Sequence, residues 1–170
     1  MNRAATTRPR LATIVAVLVA LWLAACGGGT PQGGDGIRGG GTTAFKAHLA
    51  TLEGTPVVVN QWASWCTPCR QEFPYFRDQA KKRNGEVAFV GVNSMDSTDD
   101  AASFLRESPL PFPQFADPDA DIARTFRGGR AWPTTAYYDA SGELVFTHQG
   151  AYRSEADLAA DIQRYAIDGG

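Results

Sequence analysis

The stretch that decides the fold is "NQWASWCTPCRQEFP", Asn60–Pro74, in which Cys66 and Cys69 stand with two residues between them, behind two tryptophans and ahead of a helical pattern. Upstream, "PVVVNQW", Pro56–Trp62, is β-branched and nearly continuous in apolar character, as a strand buried on both faces should be. Downstream, Phe73, Phe76 and Ala80 recur at helical spacing over 67–83. Pro74 interrupts that helix, removes one backbone hydrogen bond and predicts a kink. The cysteine pair therefore falls where a central strand hands over to a helix.

Three uses of such a pair make different demands. A bridge between Cys66 and Cys69 closes a loop of about four residues, for which loop entropy supplies about 2 kcal/mol, against about 3 for a loop of about fifteen. As a staple it is poor. A structural zinc site asks for four ligands, and beyond the cysteines the chain offers only His48 and His148, far off in sequence. No metal and no bound cofactor are expected. Redox exchange uses everything present. At a helix N-terminus the unpaired N–H groups and the helix dipole stabilise a thiolate, and Pro68 suits a first turn because it has no N–H to leave unpaired. Cys66 is then the exposed nucleophile, and Cys69, one turn in, the resolving thiol that displaces a mixed disulfide.

The flanking chain alternates strand-like and helix-like segments, which predicts an α/β domain with a central sheet. "TAFKAHLATLEG" reads as a helix ending at Gly54, and "EVAFVGVNS", Glu86–Ser94, as a second buried strand. "STDDAASFLRES" opens a helix with Ser97 or Thr98 as cap and Asp99 and Asp100 at its positive end. After the proline-rich "SPLPFPQFA", "DPDADIARTF" reads as a short helix. "WPTTAYYDASGELVFTHQG" reads as a hairpin, with strands Thr134–Asp139 and Glu143–His148 about a turn at Ser141–Gly142. "SEADLAADIQRYA" closes the chain as an amphipathic helix with Leu158, Ile162 and Tyr165 on one face. No internal repeat is visible.

The N-terminus is of another kind. Arg3, Arg8 and Arg10 precede an uncharged apolar run from Leu11 to Ala25. At about 15 residues this run is shorter than the ~20 that span a bilayer, and it fits a signal-peptide core. "LAAC", Leu23–Cys26, resembles the lipobox of bacterial lipoproteins, which implies cleavage before Cys26 and lipid on that cysteine. Of the fifteen residues Gly27–Gly41, nine are glycine. Such a run cannot bury enough to fold and behaves as a tether, with an end-to-end distance of about 20 Å. Residues 1–25 are thus expected to be a lipoprotein signal peptide, 26–41 a lipidated cysteine and tether, and 42–170 one domain, extracytoplasmic and lipid-anchored to the cell membrane. That leaves Cys66 and Cys69 as the domain's only cysteines, in a compartment where disulfides persist. The net charge of −2 gives no sign of nucleic-acid binding.

"WCTPC" after a hydrophobic strand, with "WPTT" about sixty residues later, resembles the thioredoxin fold, and "WASWCTPCRQEFP" resembles its TlpA-like, membrane-tethered thiol–disulfide oxidoreductases. The likeness covers about Thr42 to Gly170, including an extra segment from about Ser108 to Phe126 between the second strand and the hairpin. It implies a thioredoxin fold with a mixed central sheet flanked by helices. It implies a monomer that exchanges disulfides with client proteins and is served by a membrane or extracytoplasmic redox partner. Pro133 maps to the family's cis proline facing the cysteine pair, and Trp65, Thr67, Pro68, Trp132 and Pro133 to its docking surface. Trp132 is bulkier than the residues common at its position. Asn60 stands where ordinary thioredoxins bury an acid, and Glu72 where the TlpA-like branch has a glutamate. Helical spacing puts Glu72 on the face of Cys69, where a partly buried carboxyl exchanges a proton with that thiol. Gln61 replaces a usually apolar residue, and its amide needs a partner if buried. Reductase is the expected direction, with a disulfide-forming oxidase as the alternative. A thiol peroxidase fits less well, because "ASW" before Cys66 lacks the peroxidatic threonine. A copper-handling lipoprotein of this fold fits less well too, because its cysteines are spaced three apart.

Overall fold

The computed structural model describes residues 1–2 and 36–170. Residues 3–35, which hold most of the expected leader, Cys26 and most of the glycine-rich run, lie outside the described residues.

Six strands form one sheet in the order β1-β4-β3-β2-β5-β6. β2 (Val57–Trp62) is its centre and is buried along its whole length. On one side β2 pairs in parallel with β3 (Ala88–Ser94), β3 with β4 (Gln114–Asp117), and β4 with β1 (Ile37–Arg38). On the other side it pairs antiparallel with β5 (Thr134–Tyr138), which turns back into β6 (Leu144–Gln149). The sheet is mixed because parallel strands need helical crossovers, whereas β5 and β6 are joined by a tight turn.

Strand alternation sends each residue of β2 to one of two cores. Val58 and Trp62 face α2 (Thr67–Lys82), α3 (Thr98–Glu107) and α5 (Glu155–Asp161), packing with Phe73, Phe76, Phe104, Tyr137 and Leu158. Val57 and Val59 face α1 (Gly41–Ala50) and α4 (Asp121–Thr125), packing with Phe45, Val92, Phe115 and Ile122. Each large side chain so buried contributes about 1.5–3 kcal/mol relative to exposure. The result is the three-layer thioredoxin-like α/β fold, with helices on both faces of a mixed sheet.

Four features depart from the sequence reading. The folded body begins ahead of Thr42: Ile37 packs against the core, and Ile37–Arg38 pair with Gln114–Phe115, so the last residues assigned to the tether belong to the sheet. The proline-rich segment ends in a strand, β4, that its composition conceals. The closing helix passes from α5 into a π-helical turn, Ile162–Ile167, directly after Asp161. α2 runs unbroken through Pro74, the proline predicted to interrupt it.

Candidate active site

Cys66 caps α2. Its backbone is extended (φ −84°, ψ 98°), and its Sγ accepts the Cys69 N–H at 3.2 Å. That places the sulfur against one of the unpaired donors of the helix start. The two cysteines are joined as a disulfide with Cα atoms 5.3 Å apart. Pro68 occupies the first turn. The loop between β2 and α2 is fixed from below by Asp96, whose carboxylate accepts from the Ser64 N–H and hydroxyl, the Asn93 amide and the Ser97 N–H. Cys69 is fully buried and Cys66 only 3% exposed. The nucleophile expected to be exposed therefore shows little more than an edge, because Cys66 packs into the same core as Trp62 and Phe73 and Trp132 closes on that cluster. The Arg70 guanidinium, one residue past Cys69, lies 4.7 Å over the Phe104 ring.

Glu72 sits one turn beyond Cys69 and is 1% exposed. Asn60 Nδ2 donates to its Oε1 at 2.9 Å and the Tyr152 N–H to its Oε2 at 3.0 Å. Burial pushes its pKa up to about 8, against the pull of those two donors. Asn60, where a buried acid was missing, thus serves as a hydrogen-bond donor to the acid on α2. Among the described residues its own Oδ1 has no partner, and neither has Oγ1 of Thr135, the residue opposite it on β5. The carboxyl is therefore surrounded by neutral polar groups within an apolar shell, a setting in which it holds a proton near neutrality and gives it up to a modest demand.

The loop leading into β5 forms the other wall. The Trp132–Pro133 peptide is cis. Pro133 O accepts from the Gly150 N–H at 2.9 Å, and Thr134 Oγ1 donates to Ala131 O at 2.9 Å. Trp132 meets Trp65 with ring centroids 5.5 Å apart, which brings the proline loop alongside the cysteines. Trp65 is 57% exposed, with its Nε1 donating to Met95 O, and Met95 is exposed beside it. Thr67 and Pro68 are exposed between the cysteines. Gln61 is fully buried; its Oε1 accepts from the Gly129 N–H at 3.0 Å while its Nε2 has no partner. It ties the loop to β2.

A model of the AhpC/TSA family matches residues 41–147, well over half of the chain. The chain belongs to the AhpC/TSA family. It is 33% identical over 107 residues to the thiol-disulfide oxidoreductase ResA of Oceanobacillus iheyensis, a match that covers 61% of this chain and 54% of that protein. The chain thus spans little more than half the length of that curated relative. Two solved structures share the fold closely. MTB dsbF, seen in mixed oxidized and reduced forms, is 30% identical with a TM-score of 0.61 over 67% of this chain and 83% of that one. The exposed lipoprotein thioredoxin Etrx1 of Streptococcus pneumoniae is 26% identical with a TM-score of 0.61, over 68% and 89%. For this AhpC/TSA chain the structure brings together Cys66, Cys69, Glu72, Trp65, Trp132 and Pro133. It adds Tyr152 and the orphaned Thr135, which sequence reasoning missed. Tyr152 acts through its backbone N–H, which leaves no signature in a side chain.

Proposed function

We propose that this chain is an extracytoplasmic thiol–disulfide oxidoreductase of the TlpA-like branch, working as a reductase on client proteins and anchored through lipid on Cys26. The observation that carries the chemistry is the buried Glu72 carboxyl on the face of Cys69, behind a disulfide at a helix N-terminus.

In the reducing direction the Cys66 thiolate attacks one sulfur of a client disulfide, forming a mixed disulfide and releasing the other client sulfur as a thiolate that takes a proton from solvent. Glu72, in its ionised form, then accepts the Cys69 proton. The Cys69 thiolate attacks Cys66 Sγ, the mixed disulfide breaks, and the second client sulfur leaves as a thiolate. The client gains two electrons and the Cys66–Cys69 disulfide forms. With Glu72 near 8 and an ordinary thiol near ~8.5, proton transfer between them is close to balanced, which suits a general base that must also return the proton. When a redox partner reduces the pair again, Glu72 gives the proton back. Ordinary acids such as glutamate near ~4.3 would leave Cys69 protonated.

Within this proposal the reducing direction rests on the charges around the cysteines. Thr67 and Pro68 bring no charge between the cysteines, and the Arg70 guanidinium lies over Phe104. The start of α2 stabilises the Cys66 thiolate, and on this proposal that alone falls short of the extreme stabilisation behind a strongly oxidising couple near about −120 mV. The lipid anchor finds support in the lipobox and in the likeness to a pneumococcal lipoprotein thioredoxin.

The test is equilibration with dithiothreitol or glutathione buffers, read by thiol labelling or by fluorescence of Trp62 and Trp65. A potential below about −180 mV is expected. A value near −120 mV, with rapid oxidation of reduced clients, would make the protein an oxidase. Absence of any insulin-reducing activity, with stoichiometric Cu(I) uptake, would remove the oxidoreductase reading.

A further inference from the structure

The two donors to Glu72 are held in unlike ways. Asn60 is a side chain of the central strand. The Tyr152 N–H belongs to the loop between β6 and α5, and a loop N–H stays in place only if something fixes the residue that carries it. Here the fixing is done by the residue's own side chain. The Tyr152 hydroxyl donates to Asp161 Oδ2 at 2.7 Å and lies 2.6 Å from the Tyr137 hydroxyl. Because the single proton of Tyr152 goes to the carboxylate, Tyr137 is the donor between the two phenols. Burial holds both phenols well above the usual tyrosine value, so both keep their protons. The Tyr152 ring also stacks on His148, with centroids 4.1 Å apart, and His148 Nδ1 stands 3.7 Å from Asp161 Oδ2.

We propose that Tyr152 is a positioning residue for Glu72: its phenol, clamped by Tyr137 and Asp161, holds its own backbone N–H on the Glu72 carboxyl. The clamp crosses three elements, since Tyr137 is on β5, His148 on β6 and Asp161 at the end of α5. It links a buried carboxyl to an open cleft lined by His148, Tyr152, Asp161 and Tyr165. The groups facing Glu72 are few: Cys69 one turn back on α2, Asn60 on β2, the Tyr152 N–H, and Tyr137 within electrostatic reach on β5. Asp161 is not among them and acts through Tyr152. The effect on exchange rests on the proposed role of Glu72 as proton acceptor, whereas the effect on Glu72 itself does not.

The two are separated by titrating Glu72 in the oxidised full-length protein, where neither cysteine ionises. The readout is the carboxyl ¹³C shift of labelled glutamate, assigned by its loss in Glu72→Gln. In Tyr152→Phe and in Asp161→Ala the loosened N–H should move the midpoint up from about 8 by roughly half a unit to one unit. Asp161→Asn keeps an oxygen that accepts from Tyr152 and should restore the wild-type midpoint. Asp161 is partly exposed, so its variants keep the test open if Tyr152→Phe does not fold. An unmoved midpoint in natively melting Asp161→Ala overturns the inference. So does a downward shift shared by Asp161→Ala and Asp161→Asn, which would mark simple charge repulsion. If the midpoint rises and the pH profile of disulfide exchange rises with it, both claims stand. If the midpoint rises alone, Tyr152 keeps its positioning role and Glu72 loses its catalytic one.

Discussion

Glu72→Gln is the most informative single substitution, because the structure predicts opposite effects on stability and on rate. A carboxyl whose folded-state pKa is raised from 4.5 to about 8 binds its proton more tightly in the folded chain than in the unfolded one. Its contribution to stability is complete below about pH 4.5 and is lost as the pH rises through about 8, where the core must hold a charge. At about 1.4 kcal/mol per pKa unit, a rise of about 3.5 units amounts to about 5 kcal/mol of stability lost above pH 8, and about 3 kcal/mol of it is already gone at pH 7. Glutamine carries no such penalty. Its amide N–H₂ finds an acceptor once Asn60 turns its unpartnered Oδ1 inward, so the variant should match the wild type in mild acid and exceed it in base. Denaturant unfolding of the oxidised protein at a series of pH values measures this directly: the wild-type midpoint should fall as pH rises and the variant's should not. The same variant should exchange disulfides more slowly, by about 10²-fold, the order expected for loss of a general base. Parallel stability curves for the two proteins would refute the placement of a proton on Glu72.

Further outcomes follow from other parts of the fold. A Cβ on Gly91 would stand 1.8 Å from Gln114 Oε1, the acceptor of the Trp62 indole N–H; Gly91→Ala should therefore expel Gln114, orphan a buried donor and cost about 1–3 kcal/mol in denaturant unfolding. Alkylation of the reduced protein in mild acid, read by mass spectrometry, should modify Cys66 before Cys69, since Cys66 alone shows any surface; the reverse order would exchange their roles. Cys26→Ala should leave the domain folded while abolishing fatty-acid labelling, and labelling that persists would remove the lipid anchor.

The parts of the molecule legible in its sequence are those whose cause is local. β2 and β3 are continuous apolar runs, α2 carries its own spacing, and the position of Glu72 on the face of Cys69 follows from helix geometry alone. β4 is not legible, because its four residues include the buried polar Gln114 and Asp117. They are strand residues only because distant partners satisfy them: Trp62 donates to Gln114, while Ser94 and the N–H groups of Ile122 and Ala123 donate to Asp117. β1 is a strand only because β4 is there to pair with it. The same reason hides the second donor to Glu72, since the Tyr152 amide is common to all residues but proline. Tyr137 packs on the sheet against Phe146, and its hydroxyl joins the network beneath Glu72.

The bond between Gln61 and Gly129 bears on how a client would be received. The strand that leads to the cysteines also grips the proline loop, and Trp65 against Trp132 closes the contact from above. Both walls of the proposed docking groove, Trp65 on one side and the Trp132–Pro133 loop on the other, are thereby tied to one strand and to each other before anything binds. Such a groove loses little conformational entropy on association, so the cost of fitting falls on the partner. On the function proposed above, a client that presents its disulfide on an extended segment would fit such a groove without local unfolding.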